Sequence, residues 1–261
     1  MNNQKNLAFN FGANWQRFSE SSLDSLKFED AFKSLDQLIG LEKIKGRSFL
    51  DIGCGSGIFA IAASLAGAGK VIGIDISRES IAASNSNKER FAAQSNIIFS
   101  HKSVFDDDIL QLGRFDIVYS WGVLHHTGDM WRSIDVASKL VAPDSLFIIA
   151  IYNKHWSCRL WKIVKRLYNI TPKLIQPLMV WFFFVVIAAA KLIVTRKNPF
   201  KKQKRGMSFY YDVIDWVGGY PYEYAGSDEV INYVKNLGFK CIKYVKPVVP
   251  TGCNEFVFLK I

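Results

Sequence analysis

Residues Phe49-Leu50-Asp51-Ile52-Gly53-Cys54-Gly55-Ser56-Gly57, running into the apolar stretch Ile58 to Ala66, restrict this chain more than any other feature. They predict a short buried strand, a glycine loop and a helix. Glycines at alternate positions permit a sharp turn and let the backbone approach a ligand where a side chain would collide. The free N–H groups at the helix start point into the same place. A dinucleotide fingerprint requires glycine at its first, third and sixth positions. Here the sixth is Ile58, which disfavours a pyrophosphate. Asp51 instead ends the strand two residues before the first glycine. A carboxylate there suits a ligand that carries an ammonium group. A plain tight turn is the competing reading of such a loop, so the downstream residues decide.

Lys70 to Asp75 predicts a second buried strand, ending in an acid 24 residues after Asp51. An acid at the carboxyl end of the second parallel strand is placed to accept both hydroxyls of a ribose. The alternative is a cap for the helix at Glu79 to Ala92. Asp51, Gly53, Gly55 and Gly57 resemble, position for position, the first motif of the class I S-adenosylmethionine (SAM) dependent methyltransferases, and Asp75 agrees with the same ligand. The resemblance implies an α/β fold: a Rossmann-like, seven-stranded sheet with an antiparallel C-terminal edge strand. It also implies S-adenosyl-L-methionine as cofactor, held in part by Asp51, Gly53, Cys54, Gly55, Gly57, Asp75 and Ile76.

A third strand, Asn96 to Ser100, leads to Ser103, Val104 and Phe105. In the family this loop holds the adenine ring. Ser103 stands where an acid is common, and Asp106 either supplies that acid or belongs to a polar turn. Phe115 to Ser120, with Asp116, is the fourth strand. It runs into Trp121-Gly122-Val123-Leu124-His125-His126-Thr127, which resembles the family's loop between cofactor and substrate. The resemblance places Trp121 and Gly122 beside the methionine end. His125 and His126 are the candidate catalytic residues, because an imidazole suits removal of a hydroxyl proton. Hydrogen bonding within the loop is the other reading. No third ligand has the spacing to complete a metal site with them, so no metal is expected. Val141 to Ser145 is the turn into a fifth strand, Leu146 to Ile151, with Asp144-Ser145 where the family usually has two glycines.

Charge then separates one segment from the rest. The chain carries a net charge of +10, yet residues 145–211 contain 13 Lys and Arg and no acid, while the remainder has 20 basic and 23 acidic residues. Such a segment speaks about a partner rather than a fold. His155 to Ile170 has apolar residues at helical spacing, with Arg159, Lys162, Lys165 and Arg166 between them. Leu178 to Val194 is almost wholly apolar over 17 residues, interrupted by Lys191. That is the lower limit for crossing a bilayer. Since both halves of the catalytic fold must stay on one side, a helix lying in the leaflet is expected instead, with an anionic membrane surface met through residues 154–205. A lid or dimer helix is the alternative. Nucleic acid is the weaker expectation, since no binding module is evident.

The chain of 261 residues, 49% of them hydrophobic, is long enough for one α/β domain with an insert. The organisation expected is an N-terminal helical cap over 1–46: the resemblance implies a segment that folds over the cofactor through Trp15 and Arg17, and surface helices packing on the core are the alternative. A SAM-binding core over 47–153 follows, then the basic, apolar insert and an aromatic loop over 154–227, and a C-terminal helix and closing strands over 228–261. Four widely spaced cysteines and no signal-peptide pattern suggest a cytoplasmic protein, and the insert allows a peripheral place on the inner face of the membrane. The pattern Arg205-Gly206-Met207 with Asp215-Trp216-Val217-Gly218-Gly219-Tyr220-Pro221 is similar to that of a bacterial methyltransferase subgroup associated with surface polysaccharides. The expected activity is methyl transfer to a hydroxyl of a sugar or other small acceptor, free or lipid-linked. An RNA methyltransferase and a non-catalytic SAM-binding protein stay open, as does the oligomeric state.

Overall fold

The structure, a computed structural model, describes residues 9, 11, 25–196 and 209–261. Trp15, Arg17, Arg205 to Met207 and the basic residues Lys197, Lys201, Lys202 and Lys204 lie outside the described residues. Seven strands form one sheet: β1 (Ser48–Ile52), β2 (Lys70–Asp75), β3 (Ile97–His101), β4 (Phe115–Trp121), β5 (Val141–Tyr152), β6 (Phe239–Val245) and β7 (Cys253–Lys260). Their spatial order is β3-β2-β1-β4-β5-β7-β6. The first five are parallel, and β7 pairs antiparallel with both β5 and β6. The antiparallel strand therefore lies one position in from the edge, and β6 is the edge.

The helices are α1 (Ser25–Ile39), α2 (Ile58–Leu65), α3 (Arg78–Phe91), α4 (Met130–Lys139), α5 (Cys158–Ile170), α6 (Gln176–Thr195), α7 (Phe209–Gly218) and α8 (Ser227–Asn236). Because side chains alternate along a strand, β1 supplies both faces. Phe49 packs with Ala31 and Leu35 of α1 and Ala60 and Ile61 of α2. Leu50 packs with Ile134 of α4 and Val230 of α8. A parallel sheet covered on both faces explains why these strands are near-continuous apolar runs.

Two local departures from the sequence reading have physical causes. The turn expected at Val141 to Ser145 is a bulge inside β5: Phe115 pairs with Val141, but Ile117 pairs with Leu146. Asp144 takes φ 52° there, a conformation that aspartate tolerates better than most residues. Asp144→Gly is expected to raise stability by up to about 1 kcal/mol, read as a higher urea midpoint with unchanged slope. The stretch expected as an aromatic loop is helical over Phe209–Gly218, because Phe209, Val213 and Val217 recur at four-residue spacing and are buried.

The insert leaves and rejoins the sheet at one point. Asn153 and Ala225 form a parallel bridge, the Lys154 N–H donates to the Ala225 carbonyl (3.1 Å), and the Ala225 N–H donates to the Tyr152 carbonyl (3.0 Å).

Candidate active site

The site forms where the strand order reverses, between β1 and β4, at the carboxyl ends of the strands. The glycine loop is pinned to the neighbouring strand: the Gly53 and Cys54 N–H groups both donate to the Ile74 carbonyl, at 2.8 and 3.0 Å. Gly53 has φ 74°, and a Cβ there would lie 2.4 Å from both methyls of Val123. The loop after β4 thus closes directly onto the glycine loop. Gly57 caps α2 at φ 77°.

Asp75 ends β2 with its carboxylate held by two backbone donors, Gly55 N–H to Oδ2 (2.9 Å) and Ser77 N–H to Oδ1 (2.8 Å). Burial raises its pKa, while these bonds oppose the rise. Beside it opens a cleft of 390 Å³ lined by Phe9, Phe11, Asp75, Ile76, Arg78 and His101, among others. Ile76 is 73% exposed at its edge. Phe9 and Phe11 bring the N-terminal segment to this cleft. Ser103 Oγ accepts from the Phe105 N–H (3.1 Å), and Asp106 Oδ2 accepts from the Ser103 N–H (2.9 Å). The adenine-loop candidates are therefore preformed as a turn, with Val104 buried beneath them.

Asp51 is 3% exposed. Burial, and then the nearby Asp75 carboxylate, push its pKa from 3.8 to about 8. A group that binds its proton more tightly when folded lowers stability as pH rises between its unfolded and folded values. The cofactor-free protein should therefore lose stability between pH 3.8 and about 8 relative to Asp51→Asn. The slope is at most about 1.4 kcal/mol per pH unit. Thermal melts of both proteins across that range check it, and parallel curves would refute it. A cation placed against Asp51 removes the cost.

Trp121 is half-buried against the α1–α2 side of the sheet, and the Gly122 N–H donates to the Ala150 carbonyl (3.3 Å). Asp116, by contrast, sits at the far end of β4. It accepts from the Ser48 N–H (2.8 Å) and Ser48 Oγ (2.7 Å), which hold its carboxyl below the usual range. It is a strut between β1 and β4.

The two histidines differ. Pro221 O lies 2.6 Å from His126 Nδ1. A carbonyl only accepts, so His126 is protonated at Nδ1 and carries its lone pair on Nε2. His125 is fully buried, and its Nδ1 accepts from the Tyr152 N–H (3.4 Å), leaving Nε2 as the protonated nitrogen. Burial holds both neutral, His126 down to about 3. The loop is stapled to the insert by the Glu223 N–H donating to the His125 carbonyl (3.0 Å) and the Met130 N–H donating to Glu223 Oε2 (3.0 Å).

One residue of this neighbourhood escaped the sequence reading. Lys165, expected among the outward cations of α5, is completely buried. Its ammonium donates to the Trp216 carbonyl and lies 4.6 and 4.8 Å from the Trp216 and Tyr222 rings. Burial pushes its pKa down to about 7, with Asp215 pulling the other way. The available signal was its helical phase: Lys165 shares a face with Cys158, Trp161 and Tyr168.

These residues fit S-adenosylmethionine. Asp75 keeps acceptor capacity towards a cleft with an apolar edge at Ile76, and Asp51 awaits a cation. The methyltransferase-domain family matches residues 24–243 of the chain. Among curated relatives, a ubiquinone biosynthesis O-methyltransferase from Rhodopseudomonas palustris is 33% identical over 130 residues, 50% of this chain and 47% of the relative. The enzyme of the same name from Psychrobacter arcticus is 31% identical over 121 residues, 46% of this chain and 47% of the relative. The chain thus spans about half the length of these relatives. In fold it is similar to magnesium protoporphyrin IX methyltransferase from Synechocystis PCC 6803, solved with bound SAH. The TM-score is 0.60 at 15% identity, covering 95% of this chain and 93% of that one. An S-adenosylmethionine dependent methyltransferase from Mesorhizobium loti gives 0.55 at 15% identity, covering 87% and 96%. Sheet order and family match agree: the chain belongs to the methyltransferase-domain family.

Proposed function

We propose that this protein transfers the methyl group of SAM to a hydroxyl oxygen of a small molecule carried on a lipid. The cofactor supplies an activated methyl on sulfur. The protein's share is to bind it, exclude water and orient the acceptor oxygen for direct displacement. The observation that carries a hydroxyl acceptor is the tautomer of His126. Its Nδ1–H is committed to Pro221, so Nε2 is a neutral acceptor on the loop that follows β4. Such a nitrogen takes a hydrogen bond from a hydroxyl and fixes the direction of the oxygen lone pairs. With its pKa near 3, it orients the acceptor more than it removes the proton. The O-methyltransferase names of the relatives support the same atom.

Aromatic residues after Gly206 are of a type that stacks on a sugar. Tyr220 and Tyr222 are buried, and Trp216 packs edge-on to Tyr152 (5.5 Å) and Trp161 (5.2 Å). These rings join the insert to the sheet, which leaves a sugar to be recognised by its hydroxyls. A lipid-borne sugar, as in the surface-polysaccharide subgroup, and another lipid-borne hydroxyl are then compatible with the site.

The test supplies methyl-labelled SAM with a total lipid extract or a water-soluble extract, followed by mass spectrometry. O-methyl product in the lipid fraction supports the reading. Label only in water-soluble product, or on nitrogen or carbon, overturns it. His126→Ala should lower kcat by up to about 100-fold through lost orientation, with cofactor affinity retained. Unchanged kcat would remove His126 from the acceptor site.

A further inference from the structure

The hairpin α5–α6 has its apolar side turned outwards. On α5, Leu160, Ile163, Leu167 and Ile170 form one stripe, each 48–59% exposed. The opposite face, with Cys158, Lys165 and Tyr168, is the one buried. On α6, Trp181, Phe182 and Val185 are 58–63% exposed. An amphipathic helix in water does the reverse, and an apolar surface of this extent marks a missing partner.

Charge identifies the partner. Arg159, Lys162 and Arg166 are exposed beside the α5 stripe, and Lys173 is exposed at the turn between the helices. No acid occurs anywhere in residues 145–211. A second copy of the chain seated on this face would set cations against cations. An anionic bilayer takes both the apolar stripe and the flanking cations, with long basic side chains reaching up to the headgroups.

The packing also fixes the orientation. α6 has 20 residues, about 30 Å, which is enough to span a bilayer. Only 6% of its apolar window is buried. Yet Val180 is buried, the Phe184 ring lies 5.0 Å from Phe209, and Lys191 Nζ lies 5.2 Å from the same ring. Contacts with α7 thus run along the helix, and Phe209, Val213 and Val217 of α7 close a small core beneath it. A spanning α6 would abandon that core. We propose that the α5–α6 hairpin lies flat on an anionic lipid leaflet, with Leu160, Ile163, Leu167, Trp181 and Phe182 in the acyl boundary. This docking does not depend on the identity of the methyl acceptor.

The experiment is co-sedimentation of the full chain with vesicles of phosphatidylcholine alone, or with one third phosphatidylglycerol. Binding should be at least about tenfold tighter to the anionic vesicles and weaken with salt. Ile163→Asp/Leu167→Asp should abolish it while cofactor titration stays unchanged, because both side chains are exposed and neither lines the cleft. Arg159→Gln/Arg166→Gln should remove the preference for anionic lipid. A folded, cofactor-binding protein that stays in the supernatant with both vesicles overturns the proposal. So does undiminished binding by the aspartate double variant. A dimer in solution that the aspartate variant dissociates, without vesicle binding, assigns the face to a second copy and overturns it too. Vesicle binding without O-methyl product would leave the docking standing and remove the acceptor reading.

Discussion

Asp75→Ala should bind SAM and S-adenosylhomocysteine about 10²–10⁴-fold more weakly than the wild type. A carboxylate has roughly four lone-pair positions. The Gly55 and Ser77 N–H groups occupy two of them, and the Ser80 hydroxyl bonds the same carboxylate, so it must turn aside or share an oxygen when the vicinal hydroxyls of a ribose bind. Charge-assisted hydrogen bonds contribute about 1.5–3 kcal/mol each, and two of them give that range in affinity. The alanine variant also leaves two backbone donors without their acceptor, Gly55 of the glycine loop and Ser77 at the start of α3, so its melting temperature should fall. Asp75→Asn, which keeps one carbonyl oxygen, should fall between the two in both measurements. Calorimetric titration of both ligands, with circular dichroism to confirm folding, checks this. Affinity within a few-fold of wild type in the folded alanine variant would place the ribose elsewhere.

Gly57→Ala should lose about 2–5 kcal/mol of stability. Two costs add. A non-glycine residue at φ 77° carries strain of about 1–2 kcal/mol. The new methyl would also lie 2.6 Å from Phe99 Cζ and 2.8 Å from Ser84 Cβ. Ser84 belongs to α3 and is buried, and the ring of Phe99 of β3 is buried against Gly73 of β2, so neither has room to give. Forcing such a packed contact costs about 1–3 kcal/mol. Gly67→Ala is the control: it has φ 93° and a nearest neighbour at 3.4 Å, Lys45 Cγ, an ordinary van der Waals contact. It should show only the strain. Urea unfolding of the three proteins measures the difference. Equal losses in the two variants would mean that the contacts around Gly57 relax freely.

The sheet and its glycine loop were legible because their causes are local. Asp51, Gly53, Gly55 and Gly57 dictate a strand, a turn and a helix start in nine residues, and Asp75 follows from where a parallel strand ends. Features set by distant packing were not legible. Nothing near His126 in sequence says that Pro221 holds its ring, so its tautomer appears only when residues 126 and 221 meet. Lys165 has the composition of a surface helix around it, and only tertiary contact with Trp216 and Tyr222 turns it inwards. The apolar face of α5 was visible as periodicity, but periodicity does not say which face is covered. Asp116 matched a motif in type and strand, while its bonds to Ser48 put it at the opposite end of β4.

The bridge between Asn153 and Ala225 has a consequence for how such an enzyme changes over time. Everything from residue 154 to 224 enters and leaves through two adjacent positions at the mouth of the sheet. Length and content can vary inside that neck without disturbing the register of β5 with β4 or β7, much as a tool is exchanged in a chuck. The neck hands the variation to Pro221 and Glu223, which touch the histidine loop. A lineage can therefore acquire a new acceptor, or a new place to work, by rewriting one excursion while its grip on the methyl donor is inherited unchanged.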